Sequence, residues 1–139
     1  MSKSNEISAC QIYLITPPQI TDIDAFGKTL ESALSAAPVA CLQIRLKDAK
    51  RAYILALAEH ILPIARAYGT AVLINDDPQI AADCGADGVH LGQSDMNISL
   101  ARNVLSKDAI IGITCHNSKH LAFSAASDGA DYVAFGRFF

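Results

Sequence analysis

The sequence has no run of basic residues, no long apolar stretch, no closely spaced cysteine pair and no glycine-rich phosphate loop. Each absence removes a class of protein. Eleven Lys and Arg stand against 14 Asp and Glu, a net charge of −3, which argues against a strongly basic nucleic-acid binder. No apolar run approaches the roughly 18 residues of a membrane helix. The opening MSKSNEISACQIYLIT lacks the basic start and long apolar centre of a signal peptide. The expectation is a cytoplasmic protein that binds neither nucleic acid nor membrane. Cys10, Cys41, Cys84 and Cys115 lie far apart. Small buried thiols in a reducing compartment are expected, rather than a disulfide framework or a zinc cluster.

What is present is apolar material. Of 139 residues 51% are hydrophobic and 18% charged, enough for one domain with a core and too little charge for disorder. Strands are expected at Ile12–Thr16, Val39–Leu46, Ala71–Ile74, Gly88–Leu91, Ile110–Ile113 and Tyr132–Phe135. Helices are expected between them. The first opens at an N-cap at Thr21-Asp22 and puts Phe26, Leu30, Ala33, Leu34 and Ala37 on one face. The second is Arg51–Tyr68, with a kink or break at Pro63 and Gly69 closing it. Pro78–Cys84, Ile98–Leu105 and Ser118–Asp128 follow. Strict alternation with continuous apolar strands predicts a parallel sheet covered by helices.

An internal repeat sharpens this. Ala82–Val89 (ADCGADGV) aligns with Ala126–Val133 (ASDGADYV) at an offset of 44 residues, two βα units. In each copy Gly ends a helix, Ala-Asp makes a turn and a strand begins. The pattern points to the α/β class and a TIM (β/α)8 barrel of which about six strands and five helices are present. Residues 1–139 form one partial domain, with residues 1–11 as an N-terminal extension. An open doubly wound sheet competes, but it usually carries a glycine-rich loop after strand 1, where Pro17-Pro18 stand.

In either architecture a site lies at the carboxyl ends of the strands. Gln43, Arg45 and Lys47 alternate with period two and share one face of strand 2. They mark either a solvent-exposed edge strand or a phosphate or diphosphate cradle, with Arg as a bidentate fork and Lys as a point charge. Asn75-Asp76-Asp77 ends strand 3, and Gly92-Gln93-Ser94-Asp95 follows strand 4. Asp76 and Asp95 can meet at one rim. Two carboxylates beside a cationic cradle suit Mg²⁺, unless Asp76 is a turn former before Pro78. Asp77 reads as the turn or N-cap residue. Thr114 offers a hydroxyl to a phosphate or a ring nitrogen. Cys115 and His116 point to opposite faces and do not make a nucleophile–base pair. His90 reads as a packed core histidine, and His60 and His120 as surface or packing residues on helices.

These residues resemble the motif series of the thiamine-phosphate synthase family. The series runs Gln43-x-Arg45-x-Lys47, Asn75-Asp76, Ala86-Asp87-Gly88-Val89-His90-Leu91-Gly92-Gln93-x-Asp95, Gly112-x-Thr114-x-His116 and Gly129-Ala130-Asp131-Tyr132-Val133-x-Phe135-Gly136. Spacings agree as well: 28 residues from Lys47 to Asn75, and 19 from Asp76 to Asp95 and from Asp95 to Thr114. The resemblance implies a TIM barrel that joins hydroxymethylpyrimidine diphosphate to a thiazole phosphate and releases pyrophosphate. It implies that Gln43, Arg45 and Lys47 hold the diphosphate substrate with Asn75 and Thr114. Arg45 and Lys47 would stabilise the leaving group, Asp76 and Asp95 would bind Mg²⁺, and a homo-oligomer is compatible with it. Thr114 stands where the family commonly has Ser. A thiazole-phosphate tautomerase relative and a non-catalytic phosphate-binding homologue are the alternatives. Such tautomerases can carry a catalytic His in the strand-6 loop, where this chain has Arg137, a position usually small or Pro. The family's Thr-rich segment ending in Lys would begin just past Phe139. The expectation is therefore a fragment cut after strand 6, holding the pyrimidine-diphosphate and metal half of a site.

Overall fold

Apolar runs of four to six residues alternate with amphipathic segments, and each becomes a strand or a helix in turn. A computed structural model describes residues 9–136 of the chain; Arg137 lies outside the described residues. The order is β1 (Ile12–Ile15), α1 (Ile23–Ala36), β2 (Val39–Ile44), α2 (Arg51–Ala67), β3 (Ala71–Asn75), α3 (Pro78–Cys84), β4 (Gly88–Leu91), α4 (Ile98–Val104), β5 (Ile110–Thr114), α5 (Lys119–Ser127) and β6 (Tyr132–Ala134). Helix starts are fixed locally. The Asp22 carboxylate accepts from Ala25 N at 3.0 Å, Asn97 accepts from Leu100 N at 2.9 Å, and Ser118 accepts from Leu121 N at 3.1 Å. Each satisfies an N–H that the helix itself leaves free.

Two expectations need correction. α2 does not break at Pro63, which sits inside a continuous helix. Pro63 and Glu59, the residue whose carbonyl loses its partner, are both exposed, so water can take that bond. The cysteines are not uniformly buried either. Cys41 and Cys115 are, Cys84 is half-buried, and Cys10 is exposed; all four are free.

All six strands are parallel and stand in sequence order. A doubly wound sheet reverses its strand order partway, so that alternative is excluded. The sheet also curls. Laid flat, β1 and β6 would stand roughly 24 Å apart at about 4.8 Å per step. Yet Tyr13 on β1 and Tyr132 on β6 have ring centroids 5.7 Å apart and hydroxyls at 2.6 Å. The six strands therefore wrap into most of a barrel wall. Its outer face carries Leu42, Ile44, Val72, Ile74, Val89, Leu91, Ile111 and Ile113, which pack with Leu57, Ile61, Ala81 and Ala101 of the helices. Each such large side chain, fully buried, contributes about 1.5–3 kcal/mol. The core is thus a ring between sheet and helices, and it leaves the inner face for other uses.

The repeated Gly-Ala-Asp turns lie at the amino ends of the strands. The Asp87 carboxylate accepts from Val72 N at 2.7 Å, and the Asp87 N–H donates to Val72 O at 2.8 Å. Asp131 makes the same pair with Ile111, at 2.8 Å each way. Each Asp stitches the start of the preceding strand to the strand that follows it. The glycine carbonyls of the two turns are held alike: Arg66 donates to Gly85 O at 2.8 Å and Arg102 to Gly129 O at 3.0 Å. The repeat is a device for joining units at the end of the barrel away from the site.

Candidate functional site

On each strand, every second residue faces the barrel interior. Tyr13 and Ile15, Gln43, Asn75, His90, Thr114 and Tyr132 fall on that face, and with Arg45, Asp76 and Phe135 they line a cavity of about 590 Å³ open at the carboxyl end. Gln43, Arg45, Asn75, Asp76 and Thr114 were all expected at this rim, and the fold brings them together. β2 runs between β1 and β3, which excludes the edge-strand explanation of its polar residues.

Lys47 does not join them. β2 ends at Ile44 rather than at Leu46, and Thr16 is the reason. Its side chain accepts from Arg45 N at 2.9 Å and donates to Arg45 O at 3.2 Å, replacing the backbone ladder. Lys47 N then donates to Pro18 O at 2.8 Å, and Asp48 turns the chain at φ +56°. The period-two face therefore stops at Arg45. Lys47 is exposed on the loop beside the cavity, not on its wall.

Asp76 occupies a special turn. Its φ is +70°, its N–H donates to His90 O at 2.8 Å, and Asp77 N donates across it to Asn75 O at 2.9 Å. This is the hydrogen bond of a γ-turn, a strained form for a non-glycine residue. It separates the two acids. Asp77 becomes the N-cap of α3, accepting from Gln79 N at 2.9 Å and Ile80 N at 3.2 Å, as expected. Asp76 is left facing Asp95. Burial raises the Asp76 pKa most, and the hydrogen bond and charge of Asp95 raise it further, against Arg45 and Asn75, which lower it. Asp95 is oriented by Gly92 N, which donates to its Oδ2 at 2.7 Å. Two carboxylates forced together with an arginine nearby match the donor set of a small hard cation that keeps its remaining ligands from substrate and water. Among the described residues there is no cluster of three or more His, Cys, Asp or Glu that would form a closed metal cage.

His90 is buried, as expected of a core histidine, but it faces the cavity. Nδ1 lies 2.7 Å from the Tyr132 hydroxyl and Nε2 lies 2.8 Å from Thr114 Oγ1. Burial lowers its pKa most, Arg45 lowers it further, and Asp95 opposes; the ring is held neutral. Cys115 is buried in the outer core, while His116 is exposed and turns at φ +52°, so they make no catalytic pair. His60 and His120 are exposed.

Tyr13 and Tyr132 are wall residues that the sequence reading missed. Burial raises both phenol pKa values. One signal was available: Tyr132 stands where the first copy of the repeat has Gly88. Its ring needs the absence of a side chain at Gly112, where a Cβ would fall 1.9 Å from the Tyr132 ring.

Comparison with known proteins gives one family. The family model described as thiamine monophosphate synthase matches residues 12–139. The thiamine-phosphate synthase of Rhodospirillum centenum is 52% identical over 130 residues, covering 94% of this chain and 62% of that protein. That of Hyphomonas neptunium is 50% identical over 133 residues, covering 93% and 60%. Among solved structures, thiamine phosphate pyrophosphorylase from Pyrococcus furiosus superposes with a TM-score of 0.80 at 27% identity, over 93% of this chain and 61% of that one. The chain thus spans a little over 60% of the first of these relatives. Among the described residues no helix is long and apolar enough to cross a membrane. A family model matched over residues 12–139 and relatives at 50–52% identity show the family: the chain belongs to the thiamine monophosphate synthase family.

Proposed function

We propose that this chain carries the pyrimidine-diphosphate and metal side of a thiamine-phosphate synthase site. The reaction joins hydroxymethylpyrimidine diphosphate to a thiazole phosphate and releases pyrophosphate. One observation carries the reading: Arg45, Asn75, Asp76 and Thr114 converge on one open cavity, with Asp95 beside Asp76.

The chemistry follows from charge. The C–O bond between the exocyclic methylene and the diphosphate breaks, and its electron pair leaves with the pyrophosphate. The methylene cation is stabilised by the electron-rich pyrimidine ring, and the thiazole nitrogen supplies the pair that forms the new C–N bond. No protein nucleophile is needed. Arg45, projecting from the end of β2, presents a planar fork to the departing diphosphate, and Lys47 adds a point charge from the loop beside it. Asn75 and Gln43 line the same wall and orient the substrate. Asp76 and Asp95 would hold Mg²⁺, which when bound supplies positive charge to the diphosphate oxygens. A cytoplasmic setting and self-association into a homo-oligomer belong to the same reading.

The test is binding of hydroxymethylpyrimidine diphosphate to the chain with and without Mg²⁺. Binding that needs Mg²⁺ is expected, and Asp76→Ala should abolish that dependence while circular dichroism stays that of the parent. No binding, or an Asp76→Ala variant that binds as the parent does at saturating Mg²⁺, contradicts the reading.

A further inference from the structure

Five side chains form an unbroken hydrogen-bonded line across the barrel interior. Gln43 Nε2 donates to the Tyr13 hydroxyl at 2.9 Å. The Tyr13 and Tyr132 hydroxyls are 2.6 Å apart, Tyr132 lies 2.7 Å from His90 Nδ1, and His90 Nε2 lies 2.8 Å from Thr114 Oγ1. The residues come from β2, β1, β6, β4 and β5, so the line exists only because the sheet curls. Gln43 and Thr114 stand at its two ends. The three residues between them have no part in the reading above.

The line has a direction. An amide nitrogen only donates, so the Tyr13 oxygen is an acceptor towards Gln43. Its own proton has the Tyr132 oxygen 2.6 Å away as an acceptor, and the relay takes it there. Tyr132, having accepted, gives its proton to His90 Nδ1. A neutral imidazole that accepts at Nδ1 carries its proton on Nε2 and donates it to Thr114. Thr114 Oγ1 thereby accepts from His90 with one lone pair, and its own proton is turned away from His90 towards the cavity it lines. Tyr132 is held for this task by ring contact with His90, at a centroid distance of 5.6 Å and 29° between planes, and by the space over Gly112.

We propose that Tyr13, Tyr132 and His90 are positioning residues: they fix His90 as its Nε2–H tautomer and so free the Thr114 hydroxyl proton to donate into the cavity, to a ligand that presents an acceptor atom there. The relay stands on geometry alone; only the ligand that Thr114 meets rests on the proposed function.

The test is ¹⁵N NMR of the histidine-labelled chain at neutral pH, with the His90 signals assigned by their loss in His90→Gln. The wild type should show an unprotonated Nδ1 and a protonated Nε2. Tyr132→Phe removes the donor to Nδ1, and the Nδ1–H tautomer should rise. Tyr13→Phe cuts the line one step earlier and gives a second reading if Tyr132→Phe fails to fold. A wild type protonated on Nδ1, or a tautomer ratio unmoved by either variant, overturns the relay. In calorimetric titration with hydroxymethylpyrimidine diphosphate and Mg²⁺, Tyr132→Phe and Thr114→Val should each weaken binding about fivefold, the scale of one hydrogen bond. The double variant should lose little more than either single one. Losses that multiply show independent residues and overturn the positioning role. A wild type that binds no diphosphate counts against the proposed function, while the tautomer still decides the relay.

Discussion

Asp76 holds a backbone conformation that most residues avoid, at φ +70°, and a carboxyl whose pKa is raised by burial and by the neighbouring Asp95. Both features work against stability and both serve the site. Its folded pKa is raised, so the folded state is favoured by protonation, and that advantage is lost as pH rises from the ordinary carboxylate value through the raised one. At neutral pH the ionised group therefore destabilises the ligand-free fold. Asp76→Asn keeps a residue type that tolerates positive φ and removes the charge. It should raise the melting temperature at pH 7 by a gain within the ~0–1 kcal/mol range of exposed charge pairs, and the gain should vanish at a pH below the carboxylate range. Equal melting temperatures at pH 7 contradict this. Gly112 makes the converse case. Gly112→Ala puts a methyl into the Tyr132 ring and should release that ring from His90, read as a loss of near-ultraviolet tyrosine dichroism. At this scale the sequence was informative where one residue suffices. The N-cap role of Asp77 follows from residue type and position. Lys47 did not, because its direction is decided by Thr16, 31 residues earlier.

Each Gly-Ala-Asp turn shows how an element is closed. Asp87 accepts from the N–H of a fully buried residue, Val72. Asp87→Ala leaves that donor without its charged partner and should cost about 1–3 kcal/mol. The urea midpoint should fall with the slope of the transition unchanged; a midpoint within error of the parent contradicts the assigned role. Asp131→Ala loses the equivalent bond and also the 3.0 Å pair with Arg102, so its loss should be at least as large. The repeat was legible in the sequence, as were the alternation and most element bounds. Its purpose was not, because a hydrogen bond to a strand 15 or 20 residues away leaves no local pattern. Pro63 failed as a helix breaker for a similar reason: propensity ignores which face of the helix meets water.

For the molecule as a whole, the curl of the sheet decides what the inner face can do. Sequence periodicity showed that the strands are parallel and helix-covered. It did not show that β1 and β6 come within reach, which depends on twist accumulated over six strands. The cavity and the tyrosine pair depend on that closure. The cavity is proposed as a Mg²⁺-dependent diphosphate site. Calorimetric titration of the chain with hydroxymethylpyrimidine diphosphate, with and without Mg²⁺ and in the Arg45→Ala variant, tests it most directly. One site per chain is expected, with binding that needs Mg²⁺ and a roughly ten- to hundredfold loss in Arg45→Ala, the scale of hydrogen bonds to a charged group. Absence of binding, or an affinity indifferent to Mg²⁺ and to Arg45, would contradict it.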